Sequence, residues 1–213
     1  MAKRDLDTEN EDEVACPAAI ARSRLPSGAI ALARWLIGKT LVRRFGRTLA
    51  SGRIVETEAY LPDDPASHSF AGLTSRNHSM FLPRGHAYIY RIYGMWHCFN
   101  IAAEAEGTGA AALVRALEPL TGLHAMEKRR PGVRRRDLAR GPGRLCQAFG
   151  ITPAHDGIDL CDQNGTLWLA PAVRAAGKMG VSARIGIVKA ATAPLRFYEC
   201  NNTFVSGPAA FSS

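Results

Sequence analysis

In the stretch Arg53-Ile-Val-Glu-Thr-Glu-Ala-Tyr60, two carboxylates stand two residues apart, at Glu56 and Glu58, and a phenol follows at Tyr60. β-Branched and apolar residues alternate with polar ones there, which is the pattern of a β-strand. Side chains alternate faces along a strand, so Ile54, Glu56, Glu58 and Tyr60 are expected on one face and Val55, Thr57 and Ala59 on the other. The two carboxylates then lie about 7 Å apart, at twice the strand rise. A strand with one face in water accommodates such a pair without further purpose. On a buried face, at least one of them needs a partner, an accessible water or a chemical task. A carboxylate pair with aromatic walls suits cleavage at an anomeric carbon, which passes through an oxocarbenium-like state.

Other chemistries lack their residues. The sequence has no His-x-x-x-His, no clustered cysteines and no repeated Asp spacing, so no metal site is expected. It has neither a Gly-rich nucleotide loop nor a Gly-x-Ser-x-Gly elbow, and no cofactor is expected. Carboxylates, histidine, tyrosines and arginines remain. The net charge of +8 is unevenly placed: residues 1–15 hold Lys3 and Arg4 against Asp5, Asp7, Glu9, Glu11, Asp12 and Glu13, a net −4 that leaves +12 for the rest. A basic body favours a polyanionic partner, because neutralising phosphates releases counterions. Five cysteines, at 16, 98, 146, 161 and 200, form no Cys-x-x-Cys pair and point to a reducing compartment. No apolar run reaches the length of a membrane span, and the acidic start is no secretory signal.

The elements that must position these groups follow from pattern. Residues 1–25 read as a disordered acidic tail and 26–213 as one domain. A helix is expected from Pro26, capped by Ser27, striped by Leu32, Trp35 and Leu36, and ended by Gly38. Strands are expected over 40–45 and 52–60. The loop over 61–77 then carries His68 and Arg76 directly after the Glu58 strand. Two alternating arms over 86–101 flank Tyr93-Gly94-Met95-Trp96 and form a β-hairpin. Tyr88, Tyr90 and Ile92 face one way along it, and Tyr93, Met95 and Trp96 crowd its exposed tip. Such an aromatic tip on a basic protein suits insertion between base steps. A further strand over 110–117 holds Arg115 in an apolar run, where a guanidinium needs an acceptor. A helix is expected over 119–130, followed by a basic loop over 128–136. Gly141-Pro-Gly143, followed by Arg144, sets a tight turn at a helix start, where free N–H groups favour phosphate. Short strands are expected over 165–170, 181–189 and 194–198.

At these residues the chain resembles the alkyladenine (3-methyladenine) DNA glycosylase family, the single-domain type of alkylpurine glycosylase. The resemblance covers roughly residues 26–200. It rests on 53–60, His68-Ser69, Ile92-Tyr-Gly-Met95, Asn100-Ile101, Arg115-Ala-Leu-Glu-Pro-Leu120, 141–143 and Pro194-Leu-Arg-Phe-Tyr198, all in order. It implies an α+β fold, a single mixed domain around a curved antiparallel β-sheet with a protruding hairpin and flanking helices. The implied partner is duplex DNA containing damaged purines, engaged by a monomer without metal or membrane. The implied place is the bacterial cytoplasm or the eukaryotic nucleus. Carried over, Glu58 activates a water for attack on C1′ of a flipped nucleotide, and Arg115 helps hold that carboxylate and the water. Tyr60, His68 and Tyr90 stack around the extruded base, and Asn100 rejects the 2-amino group of normal guanine. Tyr93 fills the gap in the duplex, and Met95, Trp96, Arg76, Gly141, Gly143 and Arg144 are expected on the DNA backbone. Glu56 is left a structural role. Residues 184–187 look like the family's last pocket strand, with a backbone carbonyl completing the water site.

Two other classes compete. A helix–hairpin–helix glycosylase-lyase also uses a Gly-Pro-Gly turn but wants a lysine nucleophile, and none of the five lysines lies within these motifs. A non-catalytic nucleic-acid-binding module would use the aromatics only for stacking. A sugar hydrolase is a further reading, which tight binding to duplex DNA would sink.

Overall fold

The long strand β2 (Thr48–Tyr60) is buried on both faces from Ala50 to Ala59, and the rest of the sheet is arranged along it. The structure is a computed structural model and describes residues 16–207. Its first half pairs with β1 (Thr40–Phe45), and its second half with β8 (Arg196–Glu199). Along its other edge runs β5 (Ala111–Thr121), which also carries β4 (Trp96–Ala102) and, through the hairpin, β3 (Ala87–Ile92). β6 (Leu167–Ala170) closes the far edge on β1, and β7 (Met179–Ser182) pairs with β8. The eight strands among the described residues form one curled antiparallel sheet, β3-β4-β5-β2-β1-β6, with β8 and β7 branching from β2. With its helices this is a mixed α+β domain, as expected.

Helix α1 (Ala29–Leu36) packs on β2. Ala29, Leu32, Ala33 and Leu36 are buried at the helical i, i+3, i+4, i+7 spacing, and straight-chain and Ala residues favour the conformation. Full burial of Leu32 and Leu36 contributes roughly 1.5–3 kcal/mol each. The Thr57 hydroxyl donates to the Ala33 carbonyl at 2.8 Å and ties the helix to the strand. α2 (Leu123–Arg129) follows β5, and α3 (Pro142–Ala148) packs against β4 and β5.

Several expectations are corrected. Ser27 does not cap α1: the N-cap is Gly28 at φ +97°, and the Ser27 hydroxyl donates to Glu104 instead. Residues 119–121 extend β5 rather than start the helix, because Pro119 sits at a register shift, opposite Gly52, and the left-handed Gly122 makes the break. The strand expected over 181–189 is confined to Met179–Ser182, and 184–187 is loop. Residues 1–15 of the expected tail lie outside the described residues. Residues 16–25, also assigned to that tail, pack on the domain: Ile20 and Leu25 are buried, and the Ile20 N–H donates to Leu169 at 2.8 Å.

Strict alternation along β2 also fails at one point. Ile54 packs in the main core with Ala59, whereas Val55 joins Ala116, Tyr198 and Val205 in a separate cluster. The register with β5 shifts on both sides of Glu56, and this bulge rotates the strand by one residue. Glu56 and Glu58 nevertheless meet the same guanidinium.

Candidate active site

Six segments converge on one cavity of about 240 Å3. The end of β2 supplies Tyr60, the 61–77 loop supplies Ala66, His68 and Arg76, and the 3-10 turn His78–Phe81 supplies Met80. β3 supplies Tyr88, Tyr90, Arg91 and Ile92, β4 supplies Asn100, and the loop after β7 supplies Ile187. The hairpin register sets Tyr88 opposite Asn100 and Tyr90 opposite Cys98, so the two phenols stack along one face. Their ring centroids are 5.5 Å apart, and the His68 ring meets Tyr90 edge-on at 4.4 Å. His68 Nδ1 shares a hydrogen bond with the Tyr88 hydroxyl at 2.8 Å. Asn77 fixes the loop that presents His68, donating to the His68 and Gly72 carbonyls at 2.9 Å each.

Behind Tyr60 lies Glu58, fully buried. The Tyr60 hydroxyl donates to Glu58 Oε2 at 2.9 Å, and the Ile185 N–H donates to Oε1 at 2.8 Å. Arg115 Nη1 lies 3.2 Å from the same Oε1. Burial alone would push the Arg115 guanidinium down, but Glu58 and then Glu56 outweigh it and hold its pKa above the ordinary arginine value. Burial, the Glu58 charge and the hydrogen bond push the Tyr60 phenol well above the ordinary tyrosine range, so it stays a donor. Burial and then Arg76 push His68 below its ordinary value, which favours a neutral ring. A fixed carboxylate with oriented donors, one hydrogen bond behind an aromatic cavity, is equipped to accept a proton from water beside a planar ligand.

Glu56 is bound differently. It accepts from Arg196 Nε at 2.7 Å, Arg115 Nε at 3.0 Å, the Ser206 N–H at 2.7 Å and the Ser206 hydroxyl at 2.9 Å. Arg196 and Ser206 lie outside the cavity lining, and Arg115 is shared with Glu58.

Asn100 is buried in the cavity wall, its amide donating to the Tyr88 and Cys98 carbonyls at 3.1 and 3.4 Å. Tyr93, Met95 and Trp96 stand at the hairpin tip, exposed by 81%, 70% and 38%. A second cavity, of about 530 Å3, brings Tyr93 and Trp96 together with Gly141, Gly143 and Arg144. Gly143 packs closely there: a Cβ would come within 3.2 Å of the Trp96 ring, which would have to give by a few tenths of an ångström. Met95 lines the neighbouring cavity with Trp96 and Gly143. Arg76 is not in this group and stands on the rim of the Tyr60–His68 cavity.

Sequence reasoning put Tyr88 on the same face as Tyr90 but did not count it among the pocket residues, where the structure places it. It expected a backbone carbonyl from 184–187 at the water site and did not foresee the Ile185 N–H that donates to Glu58. Main-chain groups leave no residue-type signal. Among the described residues, no three His, Cys, Asp or Glu side chains gather to hold a metal, and no helix is long and apolar enough to cross a membrane.

Residues 24–203 match the family model for methylpurine-DNA glycosylase. A protein of Mesorhizobium japonicum is 53% identical over 189 residues, 89% of this chain and 90% of that protein. One of Paraburkholderia phytofirmans is 51% identical over 189 residues, 89% and 88% of the two chains. One of Methanoculleus marisnigri is 48% identical over 181 residues, 83% and 93% of the two. All three carry the name "Putative 3-methyladenine DNA glycosylase".

Proposed function

The chain belongs to the methylpurine-DNA glycosylase family, and from that premise we propose that it excises damaged purines from duplex DNA by monofunctional hydrolysis. It is a DNA-3-methyladenine glycosylase, a hydrolase of DNA repair that acts on DNA. In the proposed mechanism an alkylated or deaminated purine nucleotide leaves the stack and its base enters the cavity between Tyr60, His68 and Tyr90. A cavity of about 240 Å3 is in scale with one nucleobase, below the roughly 300–1,000 Å3 of sites for drug-sized ligands. Damaged bases pair weakly, which lowers the few kcal/mol that extrusion costs.

Glu58 then takes a proton from a water as the water oxygen bonds to C1′. The C1′–N bond breaks, its electron pair leaves with the purine, and an abasic site remains. A cationic alkylated purine departs as a neutral base, so activation of water matters more than a strong acid; a neutral deaminated purine such as hypoxanthine departs as an anion and takes up a proton from water. Arg115 and the Ile185 N–H hold Glu58 Oε1, which fixes the carboxylate and stabilises its charge. Asn100 blocks the 2-amino group of normal guanine. Tyr93 fills the duplex gap, and Met95, Trp96, Gly141, Gly143 and Arg144 run along the backbone with Arg76 at the cavity rim. The protein acts as a monomer and without a cofactor.

The observation that carries this reading is the buried Glu58 carboxylate, held by three donors and joined to the aromatic cavity through Tyr60. None of the residues lining that cavity is a lysine, which favours hydrolysis over a lyase. The test is release of free base from alkylated and hypoxanthine-containing duplexes, without added metal, by the unsubstituted chain and by Glu58→Gln. Release by the former, with lesion binding but no release by the latter, is expected. Equal release by both removes Glu58 from its role. Binding without release by either favours the stacking module, and a borohydride-trapped adduct favours the lyase.

A further inference from the structure

Two loops flank Tyr60, residues 61–77 and 183–195, and one ion pair joins them. Arg184 and Asp64 face each other with side chains exposed by only 0% and 4%. Arg184 Nη2 donates to Asp64 Oδ1 at 3.1 Å, and Nη1 bonds Oδ2. The same Nη1 donates to the Ala59 carbonyl on β2 at 2.9 Å. The guanidinium carbon stands 4.6 Å from the centroid of the Tyr60 ring, although Arg184 does not itself line the cavity. It therefore backs the ring from outside the cavity.

Each partner continues directly into the site. Asp64 Oδ1 accepts the Ala66 N–H at 2.9 Å, and the Asp64 carbonyl accepts the Ser67 N–H at 2.8 Å, which turns the chain toward His68. On the other loop, the residue after Arg184 is Ile185, whose N–H holds Glu58, and Ile187 reaches the cavity wall. A buried ion pair is a weak source of stability, since apolar side chains of similar volume often do as well. A planar guanidinium supplies directional bonds to several acceptors at once. Here those bonds join both loops and the catalytic strand around one aromatic ring.

We infer that Arg184 and Asp64 are positioning residues for base excision, a latch that sets the Tyr60 ring, the Ile185 donor to Glu58 and the His68 loop in a single arrangement. The inference rests on the proposed glycosylase reaction. Neither side chain touches the base or the water in that reaction. Loss of the latch slows the bond-breaking step and leaves capture of DNA, which uses the hairpin tip and the basic surface, nearly unchanged.

The experiment uses the full chain with Arg184→Lys, Asp64→Asn and the double substitution. Single-turnover release of hypoxanthine and 7-methylguanine at saturating protein is measured beside the dissociation constant for the same duplexes. Each single substitution is expected to slow release by about 10–100-fold, the scale of a misplacement of about 1 Å at a reacting group. The dissociation constants stay within about threefold, the signature of an effect confined to the chemical step. The double substitution adds less than about threefold to the worse single one, because both act through one contact. Unchanged release rates, an equal loss in binding, or multiplicative effects in the double variant overturn the inference. Should Asp64→Asn melt below the assay temperature, Arg184→Lys, which keeps a cation but lacks the fork, decides by the same criteria. Release by the unsubstituted chain shows that the glycosylase reading stands when the latch fails; no release overturns both.

Discussion

Glu56 and Glu58 share one guanidinium: Arg115 Nε donates to Glu56 Oε1 at 3.0 Å, and its Nη1 lies 3.2 Å from Glu58 Oε1. Both carboxylates are fully buried, but their surroundings differ. Glu56 also compensates the fully buried Arg196 and binds Ser206 twice. Removing its charge breaks a buried ion-pair network, which costs about 3–5 kcal/mol. At about 2–4 °C per kcal/mol for a chain of this size, Glu56→Gln lowers the thermal midpoint by roughly 6–20 °C. Glu58→Gln leaves Arg115 paired with Glu56, so its midpoint shifts far less while its activity falls far more. Calorimetry of both variants beside base release checks this. A larger stability loss in Glu58→Gln would reverse the division of labour.

Asn100 is held by two main-chain carbonyls in the wall of the cavity. A side chain fixed in that way cannot swing aside for an extra exocyclic group. In the proposed mechanism, Asn100→Ala opens the space that a normal guanine needs. Release of undamaged guanine then rises relative to hypoxanthine, by roughly 10-fold or more, since an unfavourable polar contact is worth about 1–3 kcal/mol. Competition between lesion and normal duplexes measures the ratio. An unchanged ratio places the discrimination elsewhere.

His68 combines burial with the nearby Arg76 charge, and both push its pKa below 6.5. Between the folded midpoint and 6.5, the unfolded chain holds the proton that the folded chain lacks. The contribution to stability is thus fully present above 6.5, is lost as pH falls from there toward the folded midpoint, and is constant below it. An NMR titration of the His68 ring should show a midpoint under 6.5, and Arg76→Gln should raise it. Burial and then Asp156 push the Tyr88 phenol up, so the hydroxyl that shares the bond with His68 Nδ1 stays protonated. A midpoint above 6.5, or one that Arg76→Gln leaves unmoved, contradicts this electrostatic account.

Much of this was legible because period-two patterns survive into the structure. Tyr88 and Tyr90 share a face as their spacing requires, and the hairpin turns at Tyr93-Gly94 as its composition requires. Arg115 announced a buried acceptor simply by lying in an apolar run, and two carboxylates and the Ser206 hydroxyl are present. What escaped was set by contacts far apart in sequence. The bulge at Glu56 depends on pairing with residues about sixty positions later, so no local pattern encodes it. Ile185 acts through its main chain, and the Arg184–Asp64 contact spans 120 residues. Residues 16–25 read as tail because they hold no aromatic residue and no sustained period, yet Ile20 needs only one strand edge on which to dock.

Tyr93 carries a conformational cost at the place where it is most exposed. Its φ is +50°, a left-handed conformation that L-residues other than Asn and Asp rarely adopt, and its side chain is 81% exposed. Little packing offsets that strain, which for such a residue is on the order of 1 kcal/mol. Glycine removes it, at some entropic expense in the unfolded chain. Tyr93→Gly is therefore expected to leave the thermal midpoint unchanged or to raise it by about 2–4 °C. In the proposed mechanism the same change deletes the side chain that fills the duplex gap, so base release falls by about 10-fold or more, as stacking worth about 1–3 kcal/mol is lost. Strain retained at a functional tip predicts opposite signs for stability and activity, whereas a structural Tyr93 predicts that both fall together. Melting curves and single-turnover release on the same preparation decide between the two.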